Sequence, residues 1–169
     1  MGLMQDVTPV NDQLADLIVR ADEPWIEQEK DKAWMKVLWT GEESGRWAAL
    51  FRWKKGYVAA PHKHLSAAHT FILSGKLQVR HGILNAGDYD YEPNGVLHGA
   101  TTALEDTEYL FICEGPIVFF DKDGLTNYLG WEELQRMKEA AQAGRATSLA
   151  VSVDAASAGR KQRAKVASR

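Results

Sequence analysis

All five histidines of the chain lie between positions 62 and 98. His62 and His64 are separated by one residue, so on an extended strand their side chains point to the same face and can approach one atom. His98 follows Pro93-Asn94-Gly95, a run of turn-forming residues. Imidazole nitrogens are common protein ligands for divalent first-row metals. The spacing therefore predicts a metal site with His62, His64 and His98 as ligands; the alternative is an exposed edge strand that carries two solvated imidazoles.

Two segments around these histidines carry the residue spacing of a known superfamily. The segment from Gly56, GYVAAPHKH, fits the pattern G(X)5HXH, and Gly75 supplies the closing glycine of that motif. The segment from Gly87 fits G(X)5PXG(X)2H at every fixed position and ends at His98. The chain thus resembles the cupin superfamily, because two motifs in the right order seldom agree by chance. The resemblance implies an all-β, single-domain cupin fold, a jelly-roll β-barrel whose interior holds one divalent metal.

The chain departs from the cupin pattern at the carboxylate that the first motif normally supplies. Counting back from Gly75, that position is Ala68, and counting forward from His64 with the longer allowed spacing, it is His69. Strand alternation turns these two residues to opposite faces, so His69 becomes a metal ligand only if a β-bulge precedes it, and otherwise supports a ligand or packs. Three neutral imidazoles leave a divalent ion with its full charge, which favours an anionic substrate that chelates through two oxygens.

From residue 61 to residue 124 the chain resembles one branch of the cupins, the 2,4'-dihydroxyacetophenone dioxygenases and the acetylacetone-cleaving dioxygenases. The shared features include His62-Lys63-His64, Tyr91-Glu92-Pro93 and the strand that runs into Phe119-Phe120-Asp121. The resemblance implies a three-histidine Fe(II) site and the cleavage by O2 of a carbon–carbon bond in a small diketone or hydroxyketone. Zn2+, Mn2+ and Ni2+ stay open as alternatives, because imidazole ligands accept several first-row ions.

Two further residues are candidates for catalysis. Glu92 lies six residues before His98, and in the enzymes of this branch an acid at the matching position lies near the metal without binding it. It could remove the acidic proton of the substrate or hydrogen-bond to a ligand, or it could be a surface glutamate beside a turn. Arg80 could pair with Glu92 or with an anionic substrate if its side chain points inward, and has no role if it points outward. Three aromatic residues either line an apolar cavity or belong to the barrel core: Phe111, Phe119 and Phe120.

Two other functions fit a three-histidine centre. A cupin that binds zinc can be a non-catalytic sensor or regulatory module, because three histidines and a water suit Zn2+. A Zn2+, Mn2+ or Ni2+ centre can also act as a Lewis acid in an O2-independent isomerase or hydrolase. Stoichiometric zinc in an inert protein would favour the first function, and turnover without O2 would favour the second.

The elements that must position these residues are short strands. Between about residues 34 and 121, apolar or alternating runs are separated by dense turn signals, which is typical of an antiparallel jelly roll or closed barrel. We predict eight strands, at residues 34–39, 46–53, 57–60, 69–73, 76–80, 88–92, 108–113 and 117–121.

The ends of the chain differ from this strand-rich part. Residues 1–33 are predicted to form an N-terminal arm, with a short helix capped by Asn11 or Asp12 and ending near Val19, or with a strand that two subunits exchange. Residues 34–130 form the predicted barrel, and residues 131–143 carry apolar side chains at helical spacing. Residues 144–169 have almost no large apolar side chains and are predicted to be a disordered basic tail.

Composition narrows the possible functions. The chain has 169 residues, 45% of them hydrophobic, which suits one folded domain. The net charge is −3 although six basic residues face one acid from Arg145 onward, so the rest of the chain is acidic and does not suit nucleic acid. Cys113 is the single cysteine, and the N-terminal residues show neither a signal peptide nor a membrane-spanning run. We expect a cytoplasmic homodimer that acts on a small molecule and O2, with neither nucleic acid nor membrane as partner.

Overall fold

The computed structural model describes residues 17–144, which form a β structure with one C-terminal helix. In chain order the first seven strands are β1 (Ile26–Glu29), β2 (Ala33–Thr40), β3 (Trp47–Trp53), β4 (Val58–Ala59), β5 (His62–His64), β6 (Ala68–Ser74) and β7 (Lys76–Val79). They are followed by β8 (Gly82–Asn85), β9 (Tyr89–Glu92), β10 (Leu97–His98), β11 (Thr101–Ala103), β12 (Thr107–Cys113), β13 (Ile117–Asp121), β14 (Gly124–Leu129) and the helix α1 (Trp131–Gln142).

The strands pair in three sheets. The large sheet has the order β1-β2-β3-β12-β6-β9, and two four-stranded sheets have the orders β10-β5-β13-β14 and β4-β11-β7-β8. All strand pairs within them are antiparallel. Buried apolar side chains from all three sheets and from α1 form one core cluster. This is the all-β, single-domain architecture that the two motifs predicted, with a helix at its C-terminal end.

Strand alternation decides which side chains reach the interior. On β12, Thr107, Tyr109, Phe111 and Cys113 are buried, and the residues between them are partly exposed. This period of two is the pattern of a sheet with one face against a core. The inner face of the large sheet is consequently a wall of aromatic rings.

Gly75 joins β6 to β7 and has a positive φ of 78°. A Cβ atom at this position would collide with the backbone carbonyl oxygen of Asp106. Both the left-handed backbone and the close approach require glycine. The closing glycine of the first cupin motif is therefore explained by the tight turn that separates the large sheet from its neighbour.

Helix α1 confirms the helix predicted at residues 131–143 and ends one residue earlier. Its Leu134 and Met137 are buried, and Lys138 Nζ donates a hydrogen bond of 3.1 Å to the carbonyl oxygen of Leu38 on β2. The helix therefore packs against β2, beside the edge strand β1 of the large sheet. No helix within residues 17–144 is long and apolar enough to cross a membrane.

The described part of the predicted N-terminal arm contains a strand, which is one of the two predicted alternatives. Strand β1 pairs with β2, and residues 17–19 have no helical structure. Most of the predicted N-terminal helix and the predicted basic tail lie in residues 1–16 and 145–169, outside the described part of the chain.

Candidate metal centre

Two very short strands bring the three motif histidines together. His62 and His64 occupy alternate positions of β5, and β10 pairs with β5 so that His98 lies directly opposite His62. Directly opposed residues of antiparallel strands have side chains about 5 Å apart. The ring centroids accordingly lie 4.8 Å apart for His62 and His98, 4.9 Å for His64 and His98, and 5.3 Å for His62 and His64.

The ligand nitrogens of the three rings converge. One nitrogen from each ring lies within 4.8 Å of the nitrogens of the other two. His64 is 1% exposed and His98 is 6% exposed, which excludes the alternative of two solvated imidazoles on an edge strand. Both ring nitrogens of His64, and Nδ1 of His98, are buried without a hydrogen-bond partner in the described part of the chain. Buried polar atoms without partners are costly, and a divalent ion would satisfy one nitrogen of each ring, so the donor set fits a metal.

Burial keeps these imidazoles in the form that binds metals. Desolvation lowers the pKa of His64 to about 4, although the nearby Glu92 carboxylate opposes this shift. Desolvation also lowers the pKa of His62, with the charge of His98 adding to the effect. Metals bind the neutral imidazole, so little proton competition is expected at these two rings near neutral pH.

Glu92 is a buried carboxylate in contact with two of the histidines. Its Oε2 atom accepts a hydrogen bond of 3.0 Å from Nε2 of His98 and lies 3.2 Å from Nδ1 of His64. Its Oε1 atom accepts a hydrogen bond of 3.1 Å from the Thr70 hydroxyl. Burial would raise the pKa of Glu92, but the hydrogen bond from His98 and the facing imidazoles outweigh burial and hold the pKa below its ordinary value. The surface-glutamate alternative is therefore excluded, and an anionic group lies beside the histidine cluster.

The position of Glu92 explains how this chain replaces the carboxylate that its first motif lacks. Ala68, at the motif position, is fully buried on β6 and pairs directly with Glu92 on β9. Paired residues of neighbouring strands project from the same face of a sheet. The acid is thus supplied one strand away, which the count of residues along the first motif could not reveal.

The geometry corrects two sequence predictions. His69 pairs with Ile112 and Tyr91 in unbroken register with Ala68, without the bulge that metal ligation would need. Its Nδ1 atom instead forms a hydrogen bond of 2.6 Å with the Tyr89 hydroxyl on the outer face of the large sheet. His69 therefore does not join the cluster.

Arg80 is the second correction. It lies exposed in the turn between β7 and β8, and no ion pair among the described residues joins it to Glu92. Leu77 and Val79 are the residues of β7 that line the cavity, so strand alternation places Arg80 on the outer side together with Gln78. The structure does not bring Arg80 to the histidine cluster.

A cavity of about 360 Å³ opens on the histidine cluster. Phe111 and Phe119 line this cavity, which was one of the two alternatives for these rings. Phe120 is not among the lining residues. The cavity walls also include residues that the motif analysis did not single out, namely Thr70, Phe51 and Tyr109. The alternation on β6 and β12 was the available signal for Thr70 and Tyr109, because it places them on the same faces as Ala68 and Phe111.

The comparison with known families agrees with this geometry. A family model described as the ChrR cupin-like domain matches residues 15–118, which include all three clustered histidines and Glu92. The chain belongs to this cupin family. The superfamily inferred from the two histidine motifs is thus confirmed.

Individual relatives of this cupin lie in the branch that the sequence suggested. The acetylacetone-cleaving enzyme of Acinetobacter johnsonii is 30% identical over 107 residues, which cover 59% of this chain and 70% of that protein. The crystal structure of an acetylacetone dioxygenase from the same organism has a TM-score of 0.69 at 24% identity and covers 80% of this chain and 98% of that chain. A structure from Methylibium petroleiphilum PM1, described as a candidate acetylacetone dioxygenase, has a TM-score of 0.68 at 26% identity, with 75% of this chain and 96% of that chain covered.

Proposed function

We propose that this protein is a metal-dependent dioxygenase that cleaves a carbon–carbon bond in a small diketone or hydroxyketone bound as a chelating anion. The observation that carries the proposal is the buried cluster of His62, His64 and His98, which faces a largely apolar cavity and has Glu92 beside it. The 30% identity to an acetylacetone-cleaving enzyme supports the same class of substrate. Fe(II) is the metal that we propose, with Zn2+, Mn2+ and Ni2+ as the alternatives.

The chain's own residues account for binding and for the movement of one proton. A divalent iron held by the three imidazoles would supply a Lewis-acidic, redox-active centre that binds the substrate oxygens and activates O2. Glu92 is the described acid or base nearest to the cluster that is not itself an imidazole, and its Oε2 atom lies within 3.2 Å of one ring nitrogen of His98 and one of His64. We assign to Glu92 the acceptance of the proton that the substrate loses when it binds as an anion. Thr70 holds the other carboxylate oxygen and so fixes the direction in which Glu92 points.

Oxygen consumption tests this proposal. The protein would be purified without chelators, analysed for metal, loaded anaerobically with Fe(II), and given a panel of 1,3-diketones and hydroxyketones in an oxygen electrode. We expect one O2 to be consumed per substrate lost, and both atoms of 18O2 to appear in the cleavage products. A Glu92→Gln variant should keep its iron but turn over more slowly, by about 10²-fold. Iron-loaded protein that consumes no O2 with any of these compounds would contradict the proposal.

The same measurements separate the alternative functions. Conversion of a substrate without O2 would indicate a Lewis-acid isomerase or hydrolase. Stoichiometric zinc, with neither O2 uptake nor conversion, would indicate a regulatory or sensor module. Each of these results replaces the dioxygenase proposal with a different function of the same histidine cluster.

We further propose that the protein acts as a cytoplasmic homodimer. The outer face of the large sheet carries an apolar row that crosses four strands in register, at Leu50, Leu110, Phe71 and Tyr89. Phe71 is 41% exposed and Tyr89 is 56% exposed, although an outer sheet face in contact with water normally alternates to polar residues. A second copy would bury this row, so its exposure in the single chain supports the dimer. Light scattering should give twice the chain mass, and Phe71→Glu should give the monomer; a monomeric parent protein would contradict the proposal.

A further inference from the structure

The cavity continues well beyond the histidine cluster along the inner wall of the large sheet. A series of ring contacts begins at His64 and Phe111, whose centroids are 5.8 Å apart, and continues from Phe111 to Phe51 at 6.0 Å. From Phe51 the contacts pass to Tyr109 at 5.2 Å, and from Tyr109 to Trp53 at 5.1 Å. All of these residues line the same cavity. The cavity therefore has a metal end and a far end, joined by aromatic rings.

Strand register gives the length of this extension. Phe111 contacts His64, whereas Trp53 lies opposite Thr107, four residues earlier on β12. At about 3.3 Å per residue, four residues of strand correspond to about 13 Å. An arm of a ligand that is held at the histidines could therefore extend about 10 Å towards Trp53.

The opposite wall of the far end is aliphatic. Leu77 and Val79 are alternate residues of β7 that line the cavity, and Leu77 is 3% exposed. Tyr57 completes the far end, with its ring 4.8 Å from that of Trp53. Aromatic rings on one side and branched aliphatic side chains on the other form a slot, which suits a planar apolar group. We call this far end, formed by Trp53, Tyr57, Leu77 and Val79, the arm pocket.

Charge is confined to the metal end. Among the described residues that line the cavity there is no lysine, arginine or aspartate, and the one glutamate is Glu92 beside the histidines. A charged substituent in the arm pocket would lose its hydration without gaining an ionic partner, which is strongly unfavourable. The volume of about 360 Å³ also falls within the range of about 300–1,000 Å³ that holds drug-sized ligands, more than a diketone with two methyl groups needs.

We propose that the preferred substrate is an arylalkyl-substituted 1,3-diketone whose uncharged aromatic ring lies in the arm pocket, and that Leu77 and Val79 determine this specificity. This inference rests on the proposed function, because the chelating oxygens of the substrate are assigned to the histidine end. The aromatic arm gains from apolar burial and from ring contacts with Trp53 and Tyr57. A dialkyl diketone makes the same chelate but leaves the arm pocket unfilled.

Two substrates with the same chelating group test the inference. Acetylacetone and 6-phenyl-2,4-hexanedione differ only in the arm, and their kcat/KM values would be measured with the iron-loaded full-length protein. We expect the parent protein to favour the phenyl compound by at least about tenfold, and Leu77→Phe, which fills the arm pocket, to reduce that ratio by at least about tenfold. Val79→Phe is a second variant with the same expectation, in case Leu77→Phe does not fold. Gln78→Phe is the matched control, because Gln78 lies between them on β7 and is exposed on the outer face, and it should leave the ratio unchanged.

A binding measurement separates this inference from the proposed function. Binding of 6-phenyl-2,4-hexanedione would be followed anaerobically by the quenching of tryptophan fluorescence in the metal-loaded protein. It should be tight for the parent and for Gln78→Phe, and weaker for Leu77→Phe. If this difference is seen without any O2 consumption, the dioxygenase proposal fails and the arm pocket stands. If O2 is consumed but the parent does not distinguish the two diketones, or if Leu77→Phe lowers both kcat/KM values equally, the arm-pocket inference is overturned and the proposed function stands.

Discussion

His64 and His69 are five residues apart in the chain, but their side chains lie in different places. The His64 side chain is in the interior, and the His69 side chain is on the outer face of the large sheet. His64 is buried beside His62 and His98, whereas the His69 ring bonds to Tyr89 on the outer face. We therefore predict that His64→Ala and His98→Ala lose bound metal, and that His69→Ala retains it. Metal content after dialysis, measured by atomic emission, checks this prediction. Loss of metal in His69→Ala, with its fold intact by circular dichroism, would show that the cluster extends further than the three rings.

The low pKa of His64 makes the stability of the metal-free protein depend on pH. Burial lowers this pKa from 6.5 to about 4, so below pH 6.5 the unfolded chain binds a proton at this position that the folded state does not. Stability is therefore fully present above pH 6.5 and is lost as the pH falls towards 4. From pH 7 to pH 5 the loss from this residue is about 2 kcal/mol.

Urea unfolding of chelator-treated protein at pH 7, 6 and 5 measures this dependence. A His64→Gln variant lacks the titrating ring and should show a flatter profile over the same interval. The pKa of Glu92 is lowered from its ordinary value of 4.5, so its contribution to the free energy of unfolding is lost only below about that pH. Parallel profiles for the parent and His64→Gln would contradict the assignment.

At the scale of elements, the eight predicted strands correspond to β2, β3, β4, β6, β7, β9, β12 and β13, whereas β5, β8, β10, β11 and β14 were not predicted. The predicted strands at 34–39, 46–53 and 108–113 match β2, β3 and β12 to within one residue, because their buried residues alternate or run continuously. Strands β5 and β10 have three and two residues, too few to show any period. Strand β14 has five exposed residues before Leu129, so it carries no apolar pattern at all. Its backbone pairing with β13, rather than its side-chain pattern, makes it a strand.

The same limits apply to the candidate site. The motif spacing predicted His62, His64 and His98. Alternate residues of a strand point to the same face, and the second motif places its histidine a fixed number of residues after a turn. The burial of Glu92 and the outward position of Arg80 depend on which face of β9 and of β7 turns towards the interior, and that face is set by the pairing with neighbouring strands. Residue types alone could not decide between the inward and outward alternatives at these two positions.

Gly75 offers a test of the turn between β6 and β7. Gly75→Ala would place a Cβ against the carbonyl of Asp106 in a backbone with φ of 78°. We predict a loss of stability of more than about 3 kcal/mol. Gly56 is the matched control, because its φ is 86° and a Cβ there meets nothing within 4 Å, so Gly56→Ala should cost about 1 kcal/mol. Equal losses in denaturant unfolding would show that close approach at Gly75 is not the reason for glycine.

At the scale of the whole molecule, the metal should contribute to the stability of the fold. The three histidines come from two strands of one four-stranded sheet, and Glu92 comes from the large sheet, so the centre lies where two sheets face each other. A metal at 100 times its Kd stabilises the folded state by about 2.7 kcal/mol. For a chain of this size that corresponds to a rise in Tm of about 5–10 °C.

Scanning calorimetry of the protein with added metal, and again after chelation, measures this effect. His98→Ala should have the same Tm under both conditions, because it lacks a ligand. A parent Tm that does not respond to metal would indicate that the cluster holds no ion under the conditions used.

The pairing of Ala68 with Glu92 has a consequence for how such centres diversify. The interior of a jelly roll is a continuous surface on which adjacent strands deliver side chains to one point, so an acidic group can be transposed between strands while the centre keeps its composition. We predict that the double substitution Ala68→Glu with Glu92→Ala retains metal and part of the O2 uptake. Glu92→Ala alone should lose most of that uptake, and Ala68→Glu alone should weaken folding by placing two carboxylates side by side. If the double variant retains metal and O2 uptake, the linear spacing of a motif is one of several arrangements that place an acid beside the three histidines.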